Sequence, residues 1–142
     1  MTASKPTRGQ TERTLTQRIQ NLYQDKLGQR PEKIICQFFD EKLAIVLEKS
    51  LTRCEELLLN TGREEFAGNL RSQLNAAIKP QLIELIQQVV GVNVTALLSD
   101  TDLKSGTSGM IFVLEDVPQV RDLESIPKIK KEKVTERDSE LL

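Results

Sequence analysis

The chain predicts an α+β domain: a four-stranded, mainly antiparallel sheet with helices packed on one face, in the order α-β-β-α-α-β-β. Three observations point there. Apolar residues recur at helical spacing over residues 11–27 and 63–90. They alternate with period two over 33–48 and again, after Gly91, over 92–99 and 110–117. Between these blocks the stretch "SLTRCEELLLNTG", Ser50 to Gly62, opens and closes like a helix with barely two turns between.

Residues 1–10 are polar and contain Pro6 and Gly9, and are expected to form a flexible arm. Thr7 and Gln10 have capping-box spacing, and Thr11 or Thr14 could also start the helix. Leu15, Ile19, Leu22, Tyr23 and Leu27 then share one helical face, and Gly28 stands where a left-handed cap belongs. Pro31 in "GQRP" opposes re-entry into a helix. In "EKIICQFFDEKLAIVLEK" Ile34, Cys36 and Phe38 alternate with Ile35, Gln37 and Phe39, and Leu43, Ile45 and Leu47 share a face of the next strand. "FDEK" is a tight polar turn.

In the short helix Thr52 and Glu55 form a second capping box, Glu55 and Glu56 suit the positive end of the dipole, and Gly62 supplies the left-handed exit. So short a helix is marginal alone, so Leu57, Leu58 and Leu59 are expected to pack on the preceding hairpin. Its plain role is to turn the chain onto the back of the sheet. The rival reading is an anion site at its N-terminus, which the capping box already occupies. The long helix, 63–90, carries a stripe from Phe66, Leu70 and Leu74 through Ile78, Leu82, Leu85, Ile86 and Val89. The stripe crosses Pro80 in phase, which favours one kinked helix over two. The connection Asp100 to Gly109 is long for a hairpin and is expected to be mobile, with a functional loop as the alternative. After Pro118 periodicity is lost. The expected organisation is therefore an arm (1–10), one domain (11–118) and a charged, disordered tail (119–142).

Composition narrows the chemistry. Among 142 residues there are 20 basic and 21 acidic side chains and no histidine, so there is no global attraction to nucleic acid or anionic lipid, and the usual general base near neutral pH is missing. The two cysteines, Cys36 and Cys54, are too few for a disulfide scaffold and are expected to be reduced and partly buried in a cytoplasmic protein. Cys54 is the sharper nucleophile candidate, at a helix N-terminus, but Glu55 and Glu56 oppose a thiolate there. "DTD" at Asp100 and Asp102 lacks the glycine and terminal glutamate of a calcium loop, and "KSGTSG" lacks the lysine of a phosphate loop, so no metal and no cofactor is expected. A KH-type reading fails at "NTGREEF", which has no GXXG, and stacking aromatics are scarce, so no nucleic-acid partner is expected. No apolar run approaches the about 20 residues of a membrane span. No catalytic constellation remains, and the chain is read as not an enzyme.

What remains is an apolar surplus. The first strand is apolar on both faces, with Ile35 and Phe39 opposite Ile34 and Phe38. Either helices cover both faces of the sheet or one face is left for a partner. The second alternative is preferred, as a homodimer.

"GQRP" with Gly28 and Pro31, "LTRCEELL" with Thr52 and Glu55, Arg71 in the long helix, "VVGVNV" around Gly91 and "MIFVLED" occur in an order that resembles the MpsC-like family. The resemblance spans about Gln17 to Pro118. These are small soluble proteins, formerly a domain of unknown function, named after component C of a Na+-translocating, membrane-potential-generating system. The resemblance implies an accessory or regulatory protein associated with membrane machinery for bicarbonate or Na+ supply, peripheral to the membrane through a protein partner such as a transport complex. It marks Gly28, Pro31, Thr52, Glu55, Arg71 and Gly91 as family-motif positions and implies no catalytic residues. The alternative is a dimeric sensor of a small molecule or anion, with its pocket between the short helix and "SGTSG".

Overall fold

The structure is a computed structural model that describes residues 4–129. The elements follow the expected order: α1 (Arg8–Leu27), β1 (Lys33–Phe39), β2 (Lys42–Glu48), α2 (Arg53–Asn60), α3 (Glu64–Val90), β3 (Val94–Asp102), β4 (Thr107–Leu114) and a 3-10 turn at Leu123–Ser125. The strands form one antiparallel sheet in the order β1-β2-β4-β3, as the α+β reading anticipates.

The three α-helices of the described residues lie on one side. α1 rests on β1, α3 rests on β3, and both α1 and α2 pack against α3. The alternating residues Phe38, Leu43, Ile45, Leu47, Leu97, Met110, Phe112 and Leu114 are buried beneath them with Leu15, Ile19, Ile78, Leu82 and Ile86. The residues between them in sequence point the other way. Ile35, Val46 and Leu98 are exposed there, Leu98 at 62%. Among the described residues the helices thus cover one face of the sheet and leave the other open.

The N-terminal arm is shorter than expected. Thr7 and Gln10 close a reciprocal capping box, so α1 begins at Arg8. Pro6 is tied down as well, its carbonyl accepting from the Arg121 N–H. The expected boundary at 118 is also corrected. Residues 119–129 cross the ends of the elements as a strap, with Val120 and Ile126 buried in the core. The Arg8 N–H donates to the Asp122 carboxylate at 2.7 Å, and the Asp40 N–H donates to the Pro127 carbonyl. Two isolated apolar anchors among charges make no periodicity, which is why the segment reads as a loose tail. Residues 1–3 of the arm and 130–142 of the tail lie outside the described residues.

The expected long connection after β3 is a four-residue turn, 103–106, because both strands continue through it. The Asp102 carboxylate accepts from the Ser105 N–H and hydroxyl, and Gly106 takes the left-handed conformation that closes the turn. α3 is one continuous helix through Pro80, but its expected stripe holds only from Ile78 onward. In the first half the buried residues are Ala67 and Arg71, and Phe66 is 68% exposed. That half faces α2, through a polar contact.

Gly28 and Gly91 both end helices at positive φ, 76° and 77°. A Cβ on Gly28 would meet nothing within 4 Å, whereas one on Gly91 would lie 2.6 Å from Gln119 Cγ and 3.0 Å from its Cβ. Gly28→Ala is therefore expected to cost only the left-handed strain of about 1–2 kcal/mol. Gly91→Ala is expected to cost more, because the strap must also shift. Urea denaturation of the two variants checks the order, and equal losses contradict it.

Candidate functional site

Of the six positions that the resemblance marks, the fold gathers three. Thr52 caps α2, Glu55 sits in its first turn, and Arg71 projects from α3 onto the same point. Glu55 Oε1 accepts from the Thr52 N–H at 2.9 Å and the Thr52 hydroxyl at 2.8 Å, and the Thr52 Oγ1 accepts from the Glu55 N–H at 3.3 Å. Arg71 grips the carboxylate with two parallel bonds, Nε to Oε2 at 2.6 Å and Nη2 to Oε1 at 2.5 Å. This two-pronged pairing is the strong form of carboxylate recognition. Nη2 also donates to the Ser50 carbonyl at 3.0 Å.

The pair is deeply enclosed: Glu55 is 0% exposed and Arg71 3%. Glu55 is the buried residue of α2, while Leu57 is 64% exposed and Leu58 and Leu59 are only half-buried. The expectation that three leucines anchor this helix is thus corrected. Its inward side is taken by the capping glutamate, and the ion pair with Arg71 binds α2 to α3.

Polar contacts continue from the pair. Arg71 Nη1 donates to Asn75 Oδ1 at 3.4 Å, Asn75 Nδ2 donates to Thr101 Oγ1 at 3.3 Å, and the Thr101, Ser108 and Ser50 hydroxyls are linked at 2.7 and 2.8 Å. Ser50 Oγ then donates to the Gly106 carbonyl, which stitches the β3–β4 turn to the start of α2. Among the described residues every buried side-chain nitrogen and oxygen has a hydrogen-bond partner. Tyr23 closes the cluster on the α1 side. Burial pushes its hydroxyl up to about 12, against the downward pull of the Arg71 charge. A void of about 10 Å³ lies between Tyr23, Asn75, Thr101 and Ser108, the size of one water. Ser50, Asn75, Thr101 and Ser108 carry no motif. The available signal is a small hydroxyl, Ser108, on the inward face of a strand that otherwise presents Met110 and Phe112.

Burial alone raises the Glu55 carboxyl, but the hydrogen bonds from Arg71 and Thr52 outweigh it and hold the group below its ordinary 4.5. As pH falls, the unfolded chain therefore takes up this proton before the folded one does. The stabilisation is complete above about pH 4.5 and is lost as pH drops from there through the lower folded value. Glu55→Gln is expected to flatten this part of the acid limb. Stability of wild type and variant compared between about pH 5 and pH 3 checks it, and parallel curves contradict it.

The other motif positions lie apart from the pair. Gly28 and Gly91 are helix caps, and Pro31 is buried just before β1. Cys54, expected to be partly buried, is exposed. It shares an open surface cleft with Gly28, Arg30, Thr52 and Arg53. Cys36 is half-buried, and burial lifts its thiol to about 11 despite a contact with the Thr16 hydroxyl. Asp100 and Asp102 are strand residues on the exposed side of β3.

The profile of the family described as "Na+-translocating membrane potential-generating system (MpsC)" matches residues 7–116, from the cap of α1 to just beyond β4. No curated protein and no solved structure is matched.

Proposed function

The chain belongs to the MpsC family, and on that premise we propose that it is a non-enzymatic accessory or regulatory component of a Na+-translocating membrane-potential-generating system. In this reading it acts as a homodimer and docks on a membrane-bound protein partner from the cytoplasmic side. The partner supplies the attachment in this reading; among the described residues no helix is long and apolar enough to cross a membrane.

The observation that supports a non-catalytic role is the closure of the Thr52–Glu55–Arg71 cluster. Both carboxylate oxygens and the guanidinium are used by internal partners. A catalytic acid or base must reach a proton on its substrate, and the Glu55 carboxylate is 0% and Arg71 3% exposed. Cells lacking the gene are expected to hold a lower Na+-dependent membrane potential, restored by the intact chain. An unchanged potential in the deletion strain contradicts the reading.

The second reading, a dimeric small-molecule or anion sensor, is supported by the open cleft at the first turn of α2, lined by Arg30, Thr52, Arg53 and Cys54 and not by the "SGTSG" loop expected there. It expects a thermal shift with phosphate, bicarbonate or a nucleotide that Arg53→Ala abolishes. No shift with any of the three ends it.

A further inference from the structure

The open face of the sheet has an uncharged centre. Gln37, Ala44, Ile111 and Leu98 form one row across the four strands, and Ile35, Val46, Gly109 and Asp100 form the next. Charges stand at the rim: Lys33, Lys42 and Glu48 on the β1–β2 side, with Glu48 4.0 Å from Lys33, and Asp100 and Asp102 on β3. Strands about 4.8 Å apart and rising about 3.3 Å per residue give a flat area of roughly 450 Å². With side-chain relief, two such faces approach the roughly 1,000 Å² that a specific interface needs.

We propose that this face is the homodimer interface, with two copies stacked sheet on sheet about a twofold axis parallel to the strands. Such an axis lays each row on the same row of the second copy in reversed strand order. At several positions the face is complementary to itself in that arrangement. Val46 meets the second copy's Gly109, Ala44 meets its Ile111, and Lys33 meets its Asp102. Large side chains stand over small ones at those two central positions and opposite charges meet at that rim position, while at the edge strands Gln37 meets the second copy's Leu98 and Ile35 its Asp100, and Lys42 meets its Val113. Self-complementarity is what an isologous contact requires, and aligned sheets about 10 Å apart are a standard core. The chain's own C-terminal segment is the poorer occupant. It leaves Ile129 beside Asp40 at the β1–β2 turn, but "KKEKVTERDSELL" is mostly charged and offers the uncharged centre only Val134, Leu141 and Leu142.

The pairing is specific enough to test by charge exchange. Val46 is exposed in the single chain and a Cβ on Gly109 meets nothing within 4 Å, so Val46→Glu and Gly109→Lys leave the fold of one copy intact. Mass-resolved size exclusion at micromolar concentration is expected to give twice the chain mass for wild type, and for a chain cut after Ile129. Each variant alone is expected to fall twofold to the mass of one chain, with an unchanged circular dichroism spectrum. Mixing the two variants is expected to restore a dimer, since the carboxylate introduced in one copy then meets the ammonium introduced in the other. A monomeric wild type overturns the proposal. So does a dimer that ignores both substitutions, and so does a monomer that dimerises only when cut after Ile129, which assigns the face to the tail. The proposal shares only the dimer with the functional reading. Its failure in the mass measurement leaves the membrane-potential test, read in cells, standing.

Discussion

Replacing Arg71 with methionine is expected to destabilise the protein by about 3–5 kcal/mol, a large share of a small domain's total. The physical cause is the group left behind. Glu55 is wholly enclosed, and without the guanidinium its carboxylate keeps only the donors of Thr52. An enclosed charge stripped of its counter-charge costs more than the intact pair contributed, because the desolvation already incurred is no longer offset. Adding Glu55→Gln to Arg71→Met removes that charge and is expected to recover part of the loss, on the order of 1–3 kcal/mol. Chemical denaturation of both singles and the double completes the cycle. Strictly additive losses would show that the two side chains do not interact and contradict the clamp.

Truncation in the strap is expected to be nearly as damaging. Ile126 is buried beside the core although it lies beyond the last strand, in a run that is charged in sequence. Ile126→Ala is expected to cost about 2–5 kcal/mol, the range for emptying a packed aliphatic site. Cutting the chain after Ile129 is expected to leave the melting temperature unchanged, while a cut after Pro118 removes Val120 and Ile126 together. A loss below about 0.5 kcal/mol for Ile126→Ala, the usual value for a surface position, contradicts the packed strap.

Features set by neighbours in the chain were legible in the sequence. The capping boxes Thr7–Gln10 and Thr52–Glu55 join residues three apart, and the left-handed glycines Gly28 and Gly62 stand just past the last residues of their helices. The alternation that places Leu43, Ile45 and Leu47 on one face was legible for the same reason. Arg71 stood out as a motif position, but its partner lies 16 residues away on another helix, and no spacing rule joins them. The same gap hid the role of α2. An apolar count favours Leu57, Leu58 and Leu59 as anchors, and only the placement of α3 shows that the inward residue is a glutamate. The continuation of β3 and β4 through Thr101 and Ser108 was hidden because these inward residues are hydroxyls bonded to one another. The surplus apolar face of β1 was visible as Ile35 and Phe39; that the helices leave this side uncovered became visible only in the fold.

Glu55 and Arg71, two of the positions that the resemblance marks, are enclosed and Thr52 beside them is half-buried; we claim that all three serve architecture rather than chemistry. The most direct measurement is the Na+-dependent membrane potential of deletion cells carrying the Glu55→Gln, Arg71→Met chain, with its fold verified by circular dichroism at growth temperature. If the pair is architectural, the folded variant restores the potential as wild type does. A folded variant that leaves the potential low would contradict that claim and give the buried pair a direct part in function.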